Sequence, residues 1–246
     1  MRPCLLLTNT MINIFRIYQI LIVLPLFVAV TLLASVVTLI MCLVTNGRFW
    51  GYYPAKIWAM TMCWINFVRV TVKGRDKIDK KTSYVFVANH QGVFDIFSVN
   101  GFLGHNFRWM MKASLIKLPV VGYTCKRSGH IFMDRRNASA LRKSMELAEK
   151  QLSGGMSLVV FPEGSRSKTG AMAPFKRGAF LLATELNLPV VPLTISGAYK
   201  VMPRASYLPR PGHIVITIHD PIYPQADGHD MTTLLEQSYA AVSSAL

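Results

Sequence analysis

The stretch that decides the fold is Tyr84-Val85-Phe86-Val87-Ala88, followed at once by Asn89-His90-Gln91-Gly92-Val93-Phe94-Asp95. Its first five residues are all apolar, which predicts a buried strand, and the residues from about Ile96 to Leu103 predict a helix. A buried strand that leads through a short polar loop into a helix is the repeating unit of α/β proteins.

The same alternation continues on both sides of this stretch. Further strands are predicted over residues 68–72, 108–111, 130–133, 157–161, 190–195 and 213–219, and further helices over residues 137–152, 179–187 and 232–245. Strands separated by helices favour parallel pairing, because two parallel strands need a long crossover connection, which is usually a helix. Residues 68–246 are therefore predicted to form an α/β domain with a mainly parallel sheet flanked by helices.

An N-terminal membrane-associated helical segment is predicted to precede this domain. No charged residue lies between Arg16 and Arg48, and residues 17–44 are almost continuously apolar. This length exceeds the roughly 20 residues that a helix needs to cross a bilayer. A cleaved signal peptide is disfavoured, since the run is longer than the usual apolar core and lacks a convincing small-residue cleavage site.

A second apolar stretch covers residues 57–68 and contains Trp58 and Trp64. It is too short to span a bilayer, and two interpretations remain open. The tryptophans favour an interfacial helix at the depth of the lipid headgroups, whereas the weak polar face also fits a helix buried against the globular domain. In either case, residues 1–67 are predicted to be a membrane anchor.

The charge of the chain restricts its partners. Twenty-seven Lys and Arg residues against 12 Asp and Glu residues give a formal net charge of +15, and no acidic residue precedes Asp76. Such an excess predicts an anionic partner, either a phospholipid membrane or nucleic acid. Nucleic acid is disfavoured, because no binding motif is present and the basic residues are spread among apolar strands.

The loop after the predicted strand 84–88 carries a histidine and a carboxylate. Imidazole is a natural general base near neutral pH, and Asp95 could accept the proton of one ring nitrogen if the chain turns back from strand to helix. Taken singly, His90 could be an ordinary structural histidine and Asp95 a helix cap.

Several groups suited to a phosphate follow other predicted strands. Phe161-Pro162-Glu163-Gly164-Ser165-Arg166-Ser167 offers backbone amides, hydroxyls and an arginine, although it lacks the glycine spacing of a Walker loop. Lys112 and Arg135 end two further strands. Each cation could be a solvated surface charge, but the ends of parallel strands meet at one edge of a sheet. No metal site is expected, since no residues have ligand spacing near these loops.

Four ordered segments resemble the motifs of the glycerolipid acyltransferases. The motif N-H-x-x-x-x-D is matched by Asn89-His90 with Asp95, and the motif G-x-x-x-x-x-R by residues 129–135. The motif F-P-E-G-T-R-S is matched by residues 161–167, and a proline-containing block by Val191-Pro192. Ser165 stands where threonine is common, and His130 where an apolar residue is more usual. The resemblance covers about residues 83 to 197, and residues 112–115 and 174–180 resemble the 1-acyl-glycerol-3-phosphate acyltransferase branch.

The resemblance implies transfer of a fatty acyl group from an acyl-carrier-protein or coenzyme A thioester to the sn-2 hydroxyl of lysophosphatidic acid, giving phosphatidic acid. His90 would be the general base and Asp95 its partner, with neither a covalent acyl-enzyme nor a cofactor. The substrate-binding residues would be Lys112, Arg135, Glu163, Gly164, Ser165 and Arg166.

Two alternatives stay open. The same chemistry could act on another lysophospholipid, on glycerol 3-phosphate or on a lyso-aminolipid, or the protein could bind anionic membranes without catalysis. Because both kinds of donor are cytosolic, the catalytic domain is expected on the cytoplasmic side of the inner cell membrane.

Overall fold

One mixed sheet forms the centre of the computed structural model, which describes residues 12–45, 47–134, 137–153, 155–224 and 231–246. Its strands in the described residues are β1 (Val68–Lys73), β2 (Val85–Ala88), β3 (Phe107–Lys112), β4 (Ile131–Met133), β5 (Ser157–Val160), β6 (Val190–Ser196) and β7 (Gly212–Ile218). They lie in the order β1-β7-β6-β2-β5-β3-β4.

All neighbouring strands pair in parallel except β6 and β7, which are antiparallel. The mainly parallel sheet predicted from the sequence is therefore confirmed. Every residue of β2 and β5 is buried, as expected for central strands covered on both faces. Because β2, β3, β4, β5 and β6 run in the same direction, the loops that follow them emerge at one edge, called here the carboxyl edge.

The helices of the described residues are α1 (Ile12–Val44), α2 (Gly47–Trp50), α3 (Tyr53–Ile65), α4 (Phe94–Phe102), α5 (Val121–Arg127), α6 (Ala138–Ser153), α7 (Gly178–Glu185), α8 (Ala198–Val201) and α9 (Met231–Ser243). A five-residue π-helical stretch, Gln19–Val23, interrupts α1. Helices α3 and α4 contribute to the core on one face of the sheet, and α6, α7 and α9 to the core on the other. The sheet is thus flanked by helices, as predicted.

Helix α3 combines features of both interpretations of its sequence. Its residues Ala59, Met62 and Cys63 are buried in the core, and the ring of Trp58 meets Phe97 of α4 edge-on with 4.9 Å between centroids. On the opposite face, Trp64 remains 60% exposed. One face of α3 therefore packs on the α/β domain, while the other is free for an apolar partner.

Helix α1 is long and apolar enough to cross a membrane. One stripe of it contacts the rest of the protein: Gln19 is buried and donates from Nε2 to the carbonyl oxygen of Pro209 at 2.9 Å, and the indole N–H of Trp58 donates to Oγ1 of Thr31 at 2.9 Å. The remaining surface of α1 exposes many large apolar side chains, including Leu21 and Leu33. Such a surface is unusual in water and favours lipid.

Candidate active site

His90 and Asp95 meet at the carboxyl edge of the sheet. The loop after β2 turns back into α4, and Nδ1 of His90 lies 2.8 Å from Oδ2 of Asp95. The carboxylate is fully buried, whereas the imidazole is 12% exposed. Since Nδ1 faces the carboxylate, Nε2 is the ring nitrogen left to act on a bound substrate.

The position of Asp95 in the first turn of α4 explains the spacing between the two residues. Besides the imidazole, Oδ2 accepts the backbone N–H groups of Gln91 at 2.6 Å and Gly92 at 2.8 Å. These bonds close the strand-to-helix turn, and a carboxylate near the start of a helix is favoured by the helix dipole. Within the described residues, Oδ1 of Asp95 has no hydrogen-bond partner. The same side chain therefore caps the turn and orients the histidine.

The plane of His90 is set by an aromatic stack. The imidazole lies on the ring of Phe161 with 3.9 Å between centroids and 6° between planes, and Phe161 in turn lies 5.3 Å from Trp109. The Trp109 indole N–H donates to Oδ1 of Asn100 on α4 at 3.2 Å. The loop after β5 thus supplies one wall of the histidine's pocket. The sequence motif contains Phe161, but nothing in the pattern indicated this contact.

Glu163 links the loops after β2 and β5. It is 5% exposed, and its two carboxylate oxygens accept the backbone N–H groups of His90 at 2.6 Å and Ala173 at 2.9 Å. Burial raises the pKa of Glu163 above its ordinary value, although these two bonds oppose the rise. Its oxygens therefore hold the backbone of the site.

Two more polar contacts tie the site together, and neither is predicted from the sequence. The Asn89 side chain donates to the carbonyl oxygen of Ile195 in β6 at 2.8 Å and accepts its N–H at 2.7 Å. The N–H of Ser167 donates to the carbonyl oxygen of His90 at 2.8 Å. A polar residue directly after a buried strand was the available signal, since its side chain must find partners where it is buried.

The loop after β5 presents a small, open surface beside His90. The N–H of Gly164 donates to the carbonyl oxygen of Phe161 at 3.0 Å, and Gly164 has φ +79°, which favours glycine. Gly164 and Ser165 are exposed, and Arg166 is partly exposed. In the described part of the chain, the N–H groups of Ser165 and Arg166 have no acceptor from the protein. These groups are available to an anionic ligand.

The remaining residues of the predicted site differ in position. Lys112 ends β3 at the carboxyl edge and is exposed, whereas Arg135 lies outside the described residues. The N–H groups of residues 90–92 all donate to carboxylates, so they are not free to stabilise an oxyanion. The arrangement as a whole places an imidazole held by a carboxylate next to a loop with unpaired N–H groups.

His130 has a structural role. Its Nδ1 accepts the backbone N–H of Trp109 at 3.1 Å, which requires that nitrogen to be unprotonated. Burial, followed by the positive charge of Arg108, lowers the pKa of His130 to about 3. His130 is therefore neutral and supports β3 at Trp109.

The family model described as Acyltransferase matches residues 69–196, which extend from within β1 to the end of β6 and contain the loops of the site. The chain belongs to the acyltransferase family. Among curated relatives, a chloroplastic 1-acyl-sn-glycerol-3-phosphate acyltransferase of Brassica napus is 32% identical over 77% of this chain and 58% of its own length.

Other relatives carry related names. A 1-acyl-sn-glycerol-3-phosphate acyltransferase of Chlamydomonas reinhardtii is 30% identical over 98% of this acyltransferase and 71% of its own length. The chain therefore spans between about three fifths and 71% of these two relatives. The crystal structure of the 1-acyl-sn-glycerophosphate acyltransferase PlsC from Thermotoga maritima has the same fold, with a TM-score of 0.73 and 24% identity over 90% of this chain and 95% of that one.

Proposed function

We propose that this acyltransferase transfers a fatty acyl group from a thioester to the sn-2 hydroxyl of 1-acyl-sn-glycerol 3-phosphate, giving phosphatidic acid. The observation that carries the proposal is the His90–Asp95 pair, which lies directly beside the exposed loop of Gly164, Ser165 and Arg166. The names of the relatives support the same acceptor.

The chemistry follows from which nitrogen is free. With Nδ1–H donating to Asp95, the unprotonated Nε2 of His90 removes the proton from the sn-2 hydroxyl as its oxygen attacks the thioester carbonyl. The thiol then leaves with the proton returned by His90, so no acyl-enzyme forms. Asp95 stabilises the imidazolium that exists between these steps. The donor thioester, on acyl carrier protein or coenzyme A, is the sole co-reactant, and the reaction uses no metal or cofactor.

Recognition of the acceptor is assigned to its phosphate. The unpaired N–H groups of Ser165 and Arg166, the Arg166 guanidinium and Lys112 at the end of β3 form a cationic surface at the carboxyl edge. Arg135 is proposed to join them because it follows β4, which ends at that edge. Glu163 acts on this surface through the backbone, since both its oxygens bind main-chain N–H groups.

The membrane supplies the acceptor. We propose that residues 1–67 attach the protein to the bilayer through the exposed apolar faces of α1 and α3, with the catalytic domain on the cytoplasmic side of the inner cell membrane. Cleavage of residues beyond 75 by protease in sealed, oriented membranes tests this side. Cleavage only by protease added to the opposite side would contradict this placement.

The decisive experiment compares two histidine variants. His90→Ala should lose at least about 100-fold in acylation of lysophosphatidic acid, the low end for loss of a general base. His213→Ala is the matched control, because His213 is exposed on β7 and, among the described residues, its ring hydrogen-bonds to Thr71 alone. Equal turnover by both variants would remove His90 from the mechanism, and absence of turnover in the wild type, together with vesicle binding, would favour a non-catalytic membrane protein.

Acceptor identity is tested with Arg166→Ala and the control Lys168→Ala, which removes an exposed charge two residues away. Arg166→Ala should raise the KM for lysophosphatidic acid about tenfold. The same substitution should change the KM for an acceptor without a phosphate much less. A panel of lysophospholipids, glycerol 3-phosphate and lyso-aminolipids determines which acceptor the site prefers. A phosphate-free acceptor used equally well by the wild type would contradict the proposed recognition.

A further inference from the structure

An apolar surface borders the site on the side of β3. The segment that follows Lys112 comprises a short 3₁₀ helix, Ala113–Lys117, and α5; we call residues 113–127 the rim segment. Five large apolar side chains of this segment are between 41% and 56% exposed: Leu115, Ile116, Leu118, Val120 and Tyr123. Because β3 ends at the carboxyl edge, these side chains lie at the border of the active site.

The backbone of the rim segment is folded so as to hold these side chains outward. Val120 has φ +60° and ψ −58°, a conformation that a β-branched residue rarely adopts, and the N–H of Val121 donates to the carbonyl oxygen of Pro119 at 2.6 Å. Gly122 packs directly on the backbone of Ile116, where a Cβ atom would collide with the carbonyl group. Strain of this kind persists where the surrounding structure enforces it and is concentrated at functional sites.

The charge of the region is entirely positive. No acidic residue occurs between Asp95 and Asp134. Around the apolar side chains, Lys112, Lys117 and Lys126 are exposed. Apolar residues surrounded by lysines are typical of surfaces that enter the headgroup region of anionic membranes. A symmetric contact between two copies of this surface would bring like charges together, which disfavours a second chain as its partner.

The rim segment is also continuous with the apolar surface of α1. Helix α5 packs against α1, and the 3₁₀ helix packs against α5 and β4. Helix α5 thus joins α1 to the 3₁₀ helix, which follows β3 at the carboxyl edge.

We propose that the rim segment is a second membrane contact, inserted at the headgroup and acyl-chain boundary of an anionic phospholipid bilayer. It brings the opening of the active site to the bilayer surface, so that a lipid substrate can enter without crossing water. The contact with lipid stands independently of the proposed activity, whereas the effect on substrate entry rests on that activity.

Fluorescence tests the contact directly. An environment-sensitive fluorescent amino acid is placed at position 118 of the full-length protein, in nanodiscs that hold one copy each and contain phosphatidylglycerol. The control position is 147, because Leu147 is 51% exposed on α6 next to the acidic side chain of Glu146. We expect emission at position 118 to shift to shorter wavelength and to be quenched by brominated acyl chains, with neither change at position 147.

Two results would overturn this inference. One is an emission at position 118 that matches position 147 in every respect. The other is a shift that depends on protein concentration in detergent and disappears in single-copy nanodiscs, since that would identify a second chain as the partner.

Kinetics test the consequence for substrate entry. The double variant Leu118→Asp/Val120→Asp should raise the KM for a long-chain acceptor presented in anionic vesicles at least fivefold, while turnover of a water-soluble short-chain acceptor stays within twofold of the wild type. Leu147→Asp should change neither value. If the double variant loses activity equally with both acceptors while its melting temperature is unchanged, the proposed role in substrate entry is contradicted. Absence of turnover in the wild type would instead contradict the proposed function and would leave the fluorescence result standing.

Discussion

Replacing Asp95 by Asn tests how the buried carboxylate assists His90. The substitution keeps the size of the side chain, and the amide oxygen can still accept the imidazole N–H and the backbone N–H groups that Oδ2 now accepts. What is lost is the negative charge opposite the imidazolium that forms during the reaction. The amide nitrogen would replace Oδ1, which has no hydrogen-bond partner within the described residues, so the substitution breaks no existing hydrogen bond there.

The size of the effect follows from the distance between the two groups. For unit charges 2.8 Å apart, an effective dielectric constant of about 20 gives an attraction of about 6 kcal/mol. An amide dipole retains part of this interaction, so we expect a loss of about 3 to 4 kcal/mol in the transition state. Since each 1.36 kcal/mol corresponds to a tenfold change in rate, kcat for lysophosphatidic acid should fall between about 100-fold and 1000-fold, with little change in KM.

A double-mutant cycle separates this role from a structural one. If Asp95 acts through the imidazole, adding Asp95→Asn to His90→Ala should cost nothing further, because the group that it assists is already absent. Steady-state kinetics of the wild type, both single variants and the double variant measure the coupling. Independent losses that multiply in the double variant, or a single variant Asp95→Asn with more than half of the wild-type kcat, would refute the reasoning.

Three further substitutions test the packing around the site. Because burial raises the pKa of Glu163, the folded protein binds this proton more tightly than the unfolded chain does. The free energy of unfolding should therefore fall as the pH rises from about 4.5 through the raised value. Glu163→Gln should remove this slope in thermal melts at a series of pH values, and the same pH dependence in the wild type and the variant would contradict it. The pKa of His130 is lowered to about 3 from an ordinary 6.5, so the pH dependence runs the other way. The free energy of unfolding should be highest above pH 6.5 and should fall by about 1.4 kcal/mol per pH unit below it. His130→Asn should abolish this dependence if the buried imidazole is its source. Gly122→Ala should lower the free energy of unfolding by about 1 to 3 kcal/mol through collision with the backbone of Ile116, while Gly178→Ala, which meets nothing within 4 Å, should not; equal melting temperatures would show that the rim segment adapts.

The family and the contact between His90 and Asp95 could be predicted because they depend on short-range order along the chain. His90 and Asp95 flank one strand-to-helix turn, so a five-residue separation suffices to bring the ring nitrogen to the carboxylate. The loops after β2 and β5 were expected to meet because parallel strands end at one edge, and the pairing of Val87 with Val160 places them side by side.

The contacts between loops could not be predicted in this way. The family resemblance places Glu163 at the acceptor site, but it does not reveal that both of its oxygens accept main-chain N–H groups, one of them 73 residues away along the chain. Phe161 belongs to a recognisable motif, but its stacking on His90 depends on side-chain rotation and on the position of the neighbouring strand. Partners of this kind are chosen by distance in space.

The sequence by itself determined the alternation of strands and helices, the apolar N-terminal segment and the residue types of the site, because periodicity, charge and local turns are properties of neighbouring residues. Only the tertiary structure decided the strand order, the antiparallel pairing of β6 with β7, and the face of α3 that is buried. It alone showed that Val120 and its apolar neighbours are exposed in the segment that follows β3. The physical reason is that strand order and burial are set by packing between elements distant in the chain, where many arrangements satisfy the same local pattern.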